Sequence, residues 1–211
     1  MSAAPGHRAE PAGRGRGRSP SKSIATRTGD AGETGLLYGG RVPKDDLHTE
    51  AYGALDEAIS ALGLARATES DPGRAERLLA IQRELFTVGA ELATGPGERA
   101  KLEKHFATVT PAMVAALDAR LADLEARVPL AQAFVIPGGS PVAAALDLAR
   151  SLVRRAERRS VSLQRAGLLE NPEVLRYLNR LSDVLFMLAR EAELGATTVR
   201  DSLVHNPMEA D

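Results

Sequence analysis

The sequence predicts an all-α protein, a five-helix bundle, on three observations. Apolar residues recur at three- and four-residue intervals in five separate stretches. Three of those stretches open on a hydroxyl or amide residue followed by proline, and none shows the alternation of a half-buried strand.

In chain order, the first helix carries the stripe Ala51, Leu55, Ala58, Ile59 and Leu62, and the second carries Leu78, Ile81, Leu85, Val88 and Leu92. The third opens with Thr110 as N-cap and Pro111 at the first helical position, then sets Val114, Leu117, Leu121 and Leu124 on one face. Ser140 and Pro141 start the fourth, with Val142, Leu146, Ala149, Val153 and Ala156. Asn171 and Pro172 start the fifth, with Val174, Leu178, Leu181, Leu185 and Leu188. Only 3% of residues are aromatic, so the core is built from Leu, Val, Ile and Ala, and each aromatic side chain is informative about position.

The 211 residues, 44% hydrophobic, make one sizeable core but are short for two. The expected organisation is a disordered basic tail over 1–23, a helical-bundle domain over 24–194 and a loose tail over 195–211. The first tail holds Arg8, Arg14, Arg16, Arg18 and Lys22 against Glu10 among Pro, Gly, Ser and Ala, too polar to offset chain entropy and without the apolar run of a secretion signal. Lys plus Arg number 27 against 28 acidic residues, so no global field holds nucleic acid. With no Cys, thiol nucleophiles, zinc–thiolate sites and disulfides are excluded. No apolar run approaches the roughly 20 residues of a membrane span, and the expectation is a cytoplasmic protein with neither membrane nor nucleic-acid partner.

Chemistry concentrates in three places. Before the first helix stands Thr26-Arg27-Thr28-Gly29-Asp30-Ala31-Gly32-Glu33-Thr34-Gly35, followed by Gly39-Gly40-Arg41 and Lys44-Asp45-Asp46. Its glycines free backbone N–H groups to face an anion, with Thr hydroxyls, Arg27 and Lys44 to complete a phosphate cradle. It matches neither a Walker A loop nor a dinucleotide fingerprint, and by composition alone it reads equally as a Gly-rich surface loop. The fourth helix sets Arg150, Arg154 and Glu157 on nearly one face beside the apolar stripe, although a run such as Arg154-Arg155-Ala156-Glu157-Arg158-Arg159 also describes a solvated face. On the fifth helix Asn179 and Asp183 flank the core positions, as structural hydrogen-bonding groups or facing a ligand.

In order along the chain, these segments resemble the ATP:corrinoid adenosyltransferase family of the propanediol-utilisation type. The carrying residues are Thr26 to Thr34, Lys44-Asp45-Asp46, Glu50-Ala51-Tyr52-Gly53 with Asp56-Glu57, Phe134-Val135-Ile136-Pro137-Gly138-Gly139, the Arg154 to Arg159 run, and Asn179-Arg180-Leu181-Ser182-Asp183. The resemblance covers about residues 24–191. It implies a five-helix bundle, a homotrimer with shared active sites, and transfer of the 5′-deoxyadenosyl group of ATP to the cobalt of cob(I)alamin with release of triphosphate. Carried over by position, Thr26, Arg27, Thr28, Gly29, Asp30, Gly32, Thr34 and Lys44 hold ATP, with Arg154, Glu157 and Asn179 closing on phosphate, Mg2+ and adenosine. Glu157 is the expected Mg2+ contact. Asp56 and Arg150 match a family ion pair at the subunit interface and corrinoid pocket, Asp183 joins the corrinoid site, and Phe134 matches an aromatic under the corrin ring that keeps the lower ligand off cobalt. Arg154, Asp56, Arg150 and Phe134 are thus the candidates for catalysis. Two positions depart from the family pattern: Ala58-Ile59 stands where relatives carry Leu-Asn, and His48 where Arg is common.

Attack by cob(I)alamin on C5′ of ATP needs no side-chain nucleophile, in keeping with a chain that has no Cys and no Ser-His-Asp pattern. The implied partners are the two small substrates, a reductase and a cobalamin-dependent acceptor enzyme. The alternatives are a non-catalytic nucleotide sensor, which has no need of Phe134, Asp56 and Arg150 together, and a purely structural bundle, which binds no ATP.

Overall fold

The computed structural model describes residues 24–130 and 134–194 and the backbone of 203–204. Among them the element order is β1 (Glu33–Gly35), β2 (Arg41–Pro43), α1 (Leu47–Thr68), α2 (Pro72–Leu92), α3 (Arg99–His105), α4 (Pro111–Arg127), β3 (Phe134–Val135), α5 (Pro141–Arg165), α6 (Glu173–Leu194) and β4 (Leu203–Val204).

The five long helices coincide with the five apolar stripes, and most of the stripe residues are buried in one continuous core. Their starts follow from local capping, in which a side-chain oxygen accepts an otherwise unpaired helix N–H. Asp46 accepts from His48 N at 2.8 Å and Asp71 from Arg74 N at 2.5 Å. Thr110 accepts from Met113 N at 3.3 Å and Ser140 from Ala143 N at 3.1 Å. Asn171 accepts from Glu173 N at 3.1 Å, while its amide donates to both oxygens of buried Glu91 at 2.9 and 3.0 Å, so one residue starts α6 and ties it to α2.

α1 packs most extensively on α5, α5 on α6, and α1 and α6 carry α2 and α4 on their other sides. Polar ties close the bundle across the row: the hydroxyl of fully buried Tyr177 on α6 donates to Glu84 on α2 at 2.6 Å, and Arg77 on α2 pairs with Glu191 on α6 at 3.1 Å. Burial holds the Tyr177 phenol far above its ordinary range, so it stays a donor at any working pH.

Short elements stand beside the five helices. β1 and β2 form an antiparallel hairpin with Thr34 opposite Val42, and β3 and β4 pair antiparallel with Phe134 opposite Val204. Leu203–Val204 lies within the segment expected to be loose over 195–211; the rest of that stretch, like the expected basic tail over 1–23, lies outside the described residues. The hairpin is seated on the C-terminal end of α2: Leu37 N donates to Ala93 O at 2.9 Å and Gly95 N to Tyr38 O at 2.8 Å. Gly39, at φ 115°, lies so close to Gly95 that a Cβ would stand 2.9 Å from the Gly95 Cα, which requires glycine there. No helix of the described residues is long and apolar enough to cross a membrane.

Candidate active site

The glycine-rich segment folds as a cradle on the hairpin. Arg27 adopts φ 60° and Gly32 φ 84°, and two successive turns, Asp30 N to Arg27 O at 3.4 Å and Gly32 N to Gly29 O at 3.2 Å, curl the chain on itself. Lys44 N donates to Gly32 O at 2.9 Å, and its ammonium lies over Gly29, where a Cβ would come within 3.2 Å of Nζ. Thr26 and Thr28 place their hydroxyls 3.0 Å apart, and Thr34 bonds to Tyr52 of α1. Asp30 is exposed, and Lys44 has no ion-pair partner among the described residues. An uncompensated ammonium, paired hydroxyls and curled backbone make a surface suited to a polyanion.

Two residues outside the sequence assignment hold this cradle. Arg41 donates to Thr28 O at 2.7 Å and to Glu33 O at 3.2 Å and pairs with the Glu33 carboxylate at 3.3 Å, stapling the curl to the hairpin. Tyr52 bonds to Thr34 from α1, and burial raises its phenol above the ordinary range, keeping it protonated. Arg41 was visible in sequence within Gly39-Gly40-Arg41, but only the hairpin register turns it toward Thr28.

On the helices, Glu157 of α5 accepts from Asn179 of α6 at 3.1 Å, and Arg154 is exposed without a partner among the described residues. The neighbouring arginines are engaged with α1: Arg155 pairs with Glu57, and Arg159 with Glu50 at 3.2 Å. The solvated-face reading thus fits Arg155 and Arg159. Asp183 lies 3.5 Å from Arg180 on its own helix. No hydrogen bond or ion pair among the described residues joins the cradle to Arg154, Glu157 or Asn179.

Asp56 lines a largely apolar cleft of about 420 Å³ between α1 and α2, with Leu37, Tyr52, Ile59, Phe86 and Phe106 in its walls. Partial burial pushes its carboxyl above the ordinary range, and no cation among the described residues pairs with it. The Ile59 departure adds to the apolar wall. Arg150 is on α5, its guanidinium 5.5 Å from the Phe186 ring centre of α6 and its Nε buried without an acceptor. Within one chain Asp56 and Arg150 do not meet. Phe134, in β3, is 74% exposed and is not a core anchor of its own chain. His48 is buried, with Nδ1 2.8 Å from Leu92 O, so its ring joins the start of α1 to the end of α2 rather than facing the cradle.

The profile of a family described as cobalamin adenosyltransferase matches residues 24–192. A corrinoid adenosyltransferase of Bacillus subtilis is 44% identical over 171 residues, which span 79% of this chain and 84% of that protein. A cobalamin adenosyltransferase of Cupriavidus metallidurans is 46% identical over 169 residues, 79% of this chain and 86% of the other. Among solved structures, a variant PduO-type ATP:corrinoid adenosyltransferase from Lactobacillus reuteri, complexed with cobalamin and ATP, superposes with a TM-score of 0.76 at 32% identity, covering 87% of this chain and all of that one.

Proposed function

The chain belongs to the cobalamin adenosyltransferase family, and from that premise we propose how its residues carry out the reaction. It is a corrinoid adenosyltransferase with ATP and cob(I)alamin as substrates: cobalt attacks C5′ of ATP, the cobalt–carbon bond forms, and triphosphate leaves with the electrons of the broken C5′–O bond.

The observation that carries the residue assignment is the division of the site. Lys44 with its cradle lies against α1 and α2, whereas Arg154 stands on α5 near Glu157 and Asn179, and neither cation has an ion-pair partner among the described residues. Each chain therefore supplies two half-sites, and the ATP site closes where the cradle of one copy meets the helices of the next in a homotrimer. Thr26, Arg27, Thr28, Gly29, Asp30, Gly32, Thr34 and Lys44 wrap the triphosphate. Arg154 of the neighbouring copy then offsets the charge that grows on it as C5′–O breaks. Asn179 orients Glu157. A single carboxylate beside substrate phosphates is the usual donor set for Mg2+, and among the described residues no cluster of three carboxylate or imidazole groups competes for that role.

Asp56 and Arg150 complete the same interface. A carboxylate on the wall of an apolar cleft and a guanidinium with a buried, unfilled donor are complementary across two copies. Phe134 and Asp183 border the corrin, with Phe134 in the volume below the ring. The enzyme works in the cytoplasm, supplied by a reductase and emptied by a cobalamin-dependent acceptor.

The test mixes the protein with ATP and chemically reduced cobalamin and follows the absorption of the cobalt–carbon product. Arg154→Ala with unchanged helicity is expected to lose turnover by about 100-fold, the usual loss on removing one donor from a developing charge. Wild-type turnover in that variant returns Arg154 to the solvated face.

A further inference from the structure

The loop that carries Phe134 ends at Gly139, and the last turn of α6 grips it there. Gly139 N–H donates to the Glu193 carboxylate, and the backbone lies so close that a Cβ on Gly139 would stand 2.8 Å from Glu193 Oε1. Glu193 is itself held. Arg190 Nη2 donates to its Oε1 at 3.0 Å and to Asp147 Oδ2 on α5 at 2.7 Å, and Arg190 Nε lies 2.9 Å from Oε2, off line for a hydrogen bond, so that contact is ionic. All three side chains are buried, at 5 to 8% exposure. Two carboxylates and a backbone amide around one guanidinium form a network that costs desolvation and returns geometric definition. On its other flank the Arg190 guanidinium lies 5.1 Å from the centre of Phe186, the ring that also carries Arg150. One buried group therefore connects Gly139 to the side chain that supports Arg150.

We propose that Glu193, clamped by Arg190 and Asp147, is a positioning residue for the corrin side of the reaction: it fixes the Gly139 end of the loop and thereby sets where Phe134 stands. β4 secures the opposite end of the same loop through Phe134 and Val135. A loop tied at both ends presents Phe134 in one place, as an aromatic needs if it is to keep a ligand away from cobalt. The inference rests on the corrin-side reading of Phe134. The sequence signal was Gly138-Gly139 before a cap, without any hint that the partner lay more than fifty residues on.

The experiment uses the full-length enzyme with ATP and cob(II)alamin, and reads the fraction of cobalt without its lower ligand by electron paramagnetic resonance, beside kcat and the KM for ATP. Glu193→Ala is expected to lower that fraction and to reduce kcat about tenfold, as for loss of a supporting group behind a site, with KM for ATP unchanged. Glu193→Gln keeps an oxygen for Gly139 N–H and restores most of both. Gly139→Ala, whose Cβ would meet the Glu193 carboxylate, breaks the same contact from the loop side, reproduces the Ala effect and keeps the test decisive should Glu193→Ala not fold. A wild-type fraction in Glu193→Ala or Gly139→Ala, or equal losses in the Gln and Ala variants, overturns the proposal. Phe134→Ala run alongside separates the two readings: without effect on the fraction, it removes the corrin-side role of Phe134 itself; with an effect that Glu193→Ala lacks, it removes only the positioning role.

Discussion

Phe134 is the residue at which an ordinary explanation and a functional one part most cleanly. A Phe just ahead of Pro137-Gly138-Gly139 and a helix cap is usually a core anchor, whose truncation costs roughly 3 to 5 kcal/mol. At 74% exposure it buries too little in its own chain for that. Phe134→Ala is expected to change stability by about 0.5 kcal/mol or less. Activity should fall steeply when the assay starts from cob(II)alamin with a mild reductant, and far less when cob(I)alamin is made beforehand, because losing the lower ligand lowers the orbital that accepts the electron. Equal losses in the two assays with a lowered Tm remove Phe134 from the corrin. His48 teaches the opposite lesson. It stands where the family commonly has Arg, and nothing local in the sequence announces that the Leu92 carbonyl lies 2.8 Å from its ring.

At the scale of elements, the long helices were legible because each writes its own buried face and its own start in consecutive residues. Asp71-Pro72 carries the same start signal as Ser140-Pro141 and begins α2. The short α3 and the two-stranded pairs were not legible, since three-residue strands persist only through what they rest on, here Ala93, Gly95 and the chain beyond α6. The α1–α2 turn shows how tightly a connection can be specified: Glu69 accepts from Arg74 Nε at 2.7 Å and Nη2 at 3.1 Å and from Asp71 N at 2.7 Å. The Arg74 hydrogen bonds hold the Glu69 carboxyl below the ordinary glutamate range despite its burial. A depressed carboxyl binds fewer protons folded than unfolded, so its stabilisation is whole at neutral pH and is lost as pH falls through the folded value. Glu69→Gln should cost about 1.5 kcal/mol at pH 7, a few degrees in Tm, and the gap to wild type should narrow as pH falls below the ordinary glutamate range. A pH-independent gap in thermal melts denies the charged pair its role.

For the molecule as a whole, both halves of the site were readable as motifs, but which surfaces they occupy was not, because sequence order is silent on the facing of helices brought together by packing. The fold answers with a cradle against α1 and α2, Arg154 on α5, and an Asp56 and Arg150 that have no ionic partner among the described residues. That arrangement makes assembly testable through activity. Lys44→Ala spoils every cradle and Arg154→Ala spoils every helical half, so each variant alone should be nearly inactive. In the proposed homotrimer, co-expression in equal amounts would give mixed trimers in which some junctions join the intact cradle of one variant to the intact helices of the other. Each junction needs the right copy on both sides, so random assembly restores about one quarter of wild-type turnover per site. Sedimentation should show one trimeric species for the mixture and for each variant. If every site lay within a single chain, no junction could pair intact halves, and the co-expressed mixture would stay as inactive as its parents however well it assembled.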